Sequence, residues 1–92
     1  NFGTAESTEI SREKRIEIGT NGVEVNVIIE GTPAFNSDLL IGDIIIGINN
    51  ESIKDYNHLL ELEDNCYNNK GNCIVKVYRN GQIKDLIVNF EQ

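Results

Sequence analysis

The groups with which this sequence could do chemistry are one histidine, His58, two cysteines, Cys66 and Cys73, and a surplus of carboxylates. A histidine is the natural proton carrier near neutral pH, and a Ser-His-Asp or Cys-His device would set it beside a nucleophile. No Gly-x-Ser-x-Gly elbow or catalytic cysteine setting is present. His58 stands next to Leu59 in a helical stretch and reads as a solvent-facing helix residue. Joined with Cys66 and Cys73, it makes too few ligands at too poor a spacing for structural zinc. Residues 64–72, DNCYNNKGN, have the composition of a calcium loop but lack glycine at the sixth position and glutamate at the twelfth. Asp43, after Gly42, reads as a turn-former bonding nearby backbone N–H groups rather than as an acid. No glycine-rich loop is arranged to cradle a phosphate. The expectation is a domain that is not an enzyme, with no catalytic residue, no metal site and no cofactor.

The totals narrow the partners. A net charge of −7 and a pI near 4.5 argue against nucleic acid, whose phosphates need clustered Lys and Arg. They argue equally against an anionic membrane surface. The greasiest run, LLIGDIIIGINN, is far shorter than the roughly 20 apolar residues that span a bilayer. Hydrophobic residues at 39% and charged residues at 25% describe an ordinary globular chain, which excludes a disordered segment. Residues 1–92 read as one domain, a module of a longer protein. The two cysteines suit either a single bridge in an oxidising compartment or a pair of buried free thiols, with free thiols favoured.

The elements that would position these groups follow from local pattern. SREKRIE is rich in charged helix formers behind an N-cap, Ser11, and predicts a short helix. The alternative is that Arg15 to Ile18 form a strand hairpinned onto VEVNVI. Val23, Val25, Val27 and Ile29 alternate with Glu24, Asn26, Ile28 and Glu30, the period of a half-buried strand. Thr32 and Pro33 suit an N-cap and first helical position, so PAFNSDLL predicts a helix of about two turns. DIIIGIN reads as a buried strand. Asp55 caps a longer helix, YNHLLELEDNCY, with Tyr56, Leu59 and Leu60 at helical spacing. CIVKVY and IKDLIVNF are strands joined through Asn80-Gly81. The fold class is α+β: a mostly antiparallel sheet or partial barrel of five to six strands, flanked by one long helix and one or two short ones.

Taken together, GVEVNVIIEGTPAFNSDLLIGDIIIGINNESI resembles the signature of bacterial-type PDZ domains. That signature runs Gly-hydrophobic, strand, Gly-Ser/Thr-Pro-Ala, short helix, Gly-Asp-hydrophobic-hydrophobic, then Ile/Val-Asn-Gly. Here Asn50 stands where the family has glycine, and NSDLL replaces its usual Ala-Gly. The resemblance implies an HtrA-like, circularly permuted PDZ fold, in which the C-terminal strand takes the place of an N-terminal one.

It also implies a binding module that adds a peptide as an extra strand between an edge strand and the long helix. On that carry-over, backbone N–H groups of Phe2, Gly3 and Thr4 meet a terminal carboxylate, and the edge strand starts at Ala5. Tyr56 and Leu60 face the peptide, Glu63 lies further along, and Leu59 faces the core. Thr4 departs from the hydrophobe the family prefers there. The implied partner is a protein C-terminus or extended segment, presented to a regulatory or substrate-binding domain of a larger protease. The alternative is an assembly domain docking another folded subunit in a secretion or envelope complex. Membrane insertion by the domain is not expected.

Overall fold

The computed structural model describes residues 3–5, 7–69 and 71–90. The elements run β1 (Thr4–Ala5), β2 (Thr8–Glu9), α1 (Arg12–Ile18), β3 (Val23–Glu24), β4 (Val27–Ile28), β5 (Ile44–Ile48), β6 (Glu51–Ser52), α2 (Tyr56–Asn68), β7 (Asn72–Arg79) and β8 (Gln82–Asn89). One antiparallel sheet has the order β2-β3-β5-β7-β8, with β6 paired to β5; β1 and β4 form a second, two-stranded pairing. This is the small α+β architecture read from the sequence, with a C-terminal strand, β8, closing the far edge.

Two local alternatives resolve. Residues 12–18 are helix rather than strand: Ser11 accepts the Lys14 N–H at 3.2 Å, and Gly19 ends the helix at φ 91°. The Val23–Ile29 alternation is not one continuous strand. It splits into β3 and β4 because Val25 turns away, donating its N–H to Asp43 O at 2.8 Å and accepting from Gly42 N at 2.7 Å.

The two-turn helix predicted after Thr32 does not form. Thr32 Oγ1 does accept the Phe35 N–H, and Asn36 N reaches Thr32 O, but the segment continues as turns. Ser37 donates to Ala34 O and accepts from Leu39 N, while Asp43 accepts from Leu40 N. Short polar side chains thus take the backbone groups that a helix would need.

The central strand, β5, is buried at every position. Ile45 and Ile48 join Val23, Val75, Val77, Val88, Leu59 and Phe90 in the main core. Ile44 and Ile46 face the other way, into a small second cluster with Ile10, Ile18 and Tyr78 beneath α1. The β5–β6 turn places Asn49 and Asn50 at φ 51° and 67°. Asn is tolerated in this left-handed region, so Asn50 replaces the family's glycine without loss of the turn. Asn80 and Gly81 make the same kind of turn between β7 and β8.

Asp43 is a turn-former, as expected, but it is also half of an ion pair. Its side chain is buried, and Arg79 of β7 donates through Nε to Oδ1 at 2.6 Å and through Nη2 to Oδ2 at 2.5 Å. Arg79 Nη2 also reaches Asp38 O at 3.0 Å. This fork ties the irregular 33–43 segment to the sheet. Cys66 and Cys73 are bonded to each other, against the reading that favoured free thiols. The bridge joins the last turn of α2 to the start of β7, and both cysteines are buried.

Candidate functional site

β1 and β2 belong to the two different pairings and follow one another closely in the chain. Among the described residues β1 pairs with β4 (Thr4↔Ile28, Ala5↔Val27) and β2 with β3 (Thr8↔Glu24, Glu9↔Val23). No second strand of the described residues lies along either. Gly3, just ahead of β1, accepts the Ile29 N–H at 2.7 Å, which extends this pairing by one rung.

The start of the long helix meets β2. Glu9, at the end of β2, accepts the backbone N–H of Tyr56 through Oε2 at 3.2 Å. Asp55 Oδ1 caps the next turn by accepting His58 N–H at 2.8 Å. Two carboxylates at a helix N-terminus are also favoured by the helix dipole. α2 presents Leu59, Leu62, Glu63 and Cys66 as its buried residues, with Tyr56 and Leu60 half-buried beside them.

The seven residues singled out by the sequence fall as follows. Phe2 lies outside the described residues. Gly3 is buried at φ 122°, a conformation that favours glycine, and Thr4 is buried on β1. Ala5 ends β1. Tyr56 and Leu60 lie on α2, and Leu59 faces the core as expected. Glu63, further along α2, is buried at 1% exposure. Together with desolvation, which is the larger cause, the Glu63 charge pushes the Tyr67 hydroxyl above its usual pKa. Tyr67 in turn packs edge-on against Phe90, with ring centroids 5.1 Å apart.

His58 is not the solvent-facing residue that its neighbours in sequence suggested. Its side chain is only 14% exposed. Nδ1 accepts the Lys54 N–H at 3.0 Å, which leaves the proton on Nε2, 3.0 Å from Glu51 Oε2. The ring thus latches the start of α2 to β6. Sequence reasoning missed both this latch and the Glu9–Tyr56 link: the link joins residues 47 apart, and the latch depends on which side of α2 turns His58 toward β6. Among the described residues no group of three or more His, Cys, Asp or Glu could hold a metal ion, and no helix is long and apolar enough to cross a membrane.

Comparison with known proteins bears on this geometry. A family model described as PDZ domain matches residues 7–90. No curated protein matches the chain. Among solved structures the chain is similar to the HtrA3 PDZ domain bound to a phage-derived ligand (FGRWV), at 18% identity and a TM-score of 0.74, over 97% of this chain and 82% of that one. It is similar to the HtrA-type protease AlgW with decapeptide, at 22% identity and a TM-score of 0.73, over 97% of this chain but only 27% of that one. It is also similar to the PDZ domain of EpsC from Vibrio cholerae, at 20% identity and a TM-score of 0.66, over 97% of both chains. At these identities the likeness to solved structures is one of fold. With the family match running from the residue before β2 to the last core aromatic, Phe90, the chain belongs to the PDZ domain family.

Proposed function

We propose that this domain binds a hydrophobic protein C-terminus by strand addition between the β1–β2 edge and α2. One observation carries the reading: among the described residues β1 and β2 each pair with one strand only, while the Glu9–Tyr56 bond brings the start of α2 to the end of β2. An edge of this kind is either blunted or used, and an adjoining helix with half-buried Tyr56 and Leu60 gives side-chain pockets to a strand added there. The peptide's carboxylate would be met by N–H groups around Phe2, Gly3 and Thr4, with Ala5 opening the ladder. Tyr56 and Leu60 would face the terminal side chain, with Glu63 further along α2. Solved relatives of the same fold carry peptides, FGRWV on the HtrA3 domain and a decapeptide with AlgW. AlgW is also the basis for proposing a protease as the parent, with this domain in a regulatory or substrate-binding role.

A second reading is docking of another folded subunit without carboxylate recognition. It is favoured by the enclosure of Glu63, which the family resemblance placed along the peptide groove. The two readings separate in ¹⁵N chemical-shift mapping with a free-acid peptide and its amidated twin. Carboxylate capture predicts shifts at Gly3, Thr4, Tyr56 and Leu60 with the free acid and much smaller ones with the amide. Silence with both peptides favours the assembly domain.

A further inference from the structure

We infer that Thr32 is a positioning residue for the carboxylate-binding turn, setting the backbone of Gly3 from outside the groove; this rests on the strand-addition reading above. Thr32 follows Gly31 in the stretch joining β4 to the irregular 33–43 segment, far from Gly3 in sequence. Its side chain nevertheless sits directly on Gly3: a Cβ placed there would collide with the Thr32 hydroxyl and Cβ and touch its methyl. Gly3 therefore meets two constraints at once, a φ of 122° and a neighbour that leaves no room for a side chain.

The hydroxyl of Thr32 is fixed by two bonds. It donates to Ile29 O at 2.6 Å and accepts the Phe35 N–H at 3.3 Å. Ile29 itself donates its N–H to Gly3 O at 2.7 Å. A path therefore runs from the Phe35 N–H through the Thr32 hydroxyl to the Ile29 carbonyl, and across the Ile29 Cα from its N–H to the Gly3 carbonyl. The orientation of the Gly3 peptide, and so the direction in which the next N–H points, is held by the 29–35 segment. The 33–43 segment that continues from it is tied to β7 through Asp38, Asp43 and Arg79.

Thr32→Val keeps the shape and removes the hydroxyl, whereas Thr32→Ser keeps the hydroxyl. The probe is FGRWV as free acid and as amide. In Thr32→Val the free-acid dissociation constant should rise about fivefold, the size expected for one lost net hydrogen bond in a positioning chain. The amide should change less than about twofold, and Thr32→Ser should bind as wild type. The Gly3 and Ile29 amide resonances should move in the Val variant and stay in the Ser variant. Should Thr32→Val fail to fold, Thr32→Ala is read in the same way. Wild-type free-acid preference retained in Thr32→Val, with unmoved Gly3 and Ile29 resonances, overturns the role of Thr32 and leaves carboxylate capture standing. A wild type that binds acid and amide alike overturns carboxylate capture, and the role of Thr32 with it.

Discussion

Asp43 shows what a residue can and cannot disclose from its sequence neighbourhood. Its place after Gly42 marks a corner, and the bond it accepts from Leu40 N–H, three residues back, is the local turn chemistry that an Asp there predicts. Its partner Arg79 lies 36 residues away and arrives only because β7 pairs with β5 in the register Ile44↔Tyr78. No local pattern encodes that meeting. The consequence is measurable. Removing Arg79 leaves a buried carboxylate facing the 33–43 segment alone, and breaking such a pair from one side costs about 3 kcal/mol. Arg79→Ala should lower the urea midpoint accordingly, with the denaturant slope unchanged; a variant as stable as wild type would show that solvent replaces the guanidinium.

At the scale of elements, strongly periodic or punctuated segments were legible and competing ones were not. α2, with Asp55 as cap and Leu59 inward, and the β7–β8 hairpin through Asn80-Gly81 follow from spacing and turn chemistry. The segment after Thr32 reads as helix by cap and proline, yet Ser37 and Asp43 divert its backbone bonds. Two predictions belong here. Leu60→Asp, on the half-buried flank of α2, should weaken FGRWV binding at least about tenfold by charging an apolar contact, with a dispersed ¹⁵N spectrum retained. Unfolding would mean that Leu60 is a core residue and the face assigned to the peptide is wrong. The Cys66–Cys73 bridge closes a loop with a sequence separation of 7 and fixes the end of α2 to β7. For a loop that short, chain entropy sets its worth at about 2–3 kcal/mol, so Cys66→Ala/Cys73→Ala should unfold at correspondingly lower urea. Equal midpoints would show that core packing alone anchors the helix.

For the whole molecule, the sequence carries the fold further than it carries the site. The signature from Gly22 to Ile53 and the alternation of β7 and β8 specify a core, and that core is what the family match and the shared fold reflect. The proposed groove would be written mostly in backbone: N–H directions at Gly3 and Thr4, and strands that pair on one side among the described residues. Such features depend on how elements approach one another, which is why Ile29 reads from the sequence only as a strand residue, Thr32 only as a cap, and Glu9 as neither. The chain contains no tryptophan, so the single tryptophan of FGRWV reports binding without interference. The decisive measurement is the ratio of dissociation constants for FGRWV as free acid and as amide, by peptide tryptophan fluorescence at fixed ionic strength. Charge-assisted bonds to the carboxylate predict tighter binding of the free acid by roughly 10- to 100-fold. Equal affinities, or none for either peptide, would contradict capture of a C-terminus by this domain.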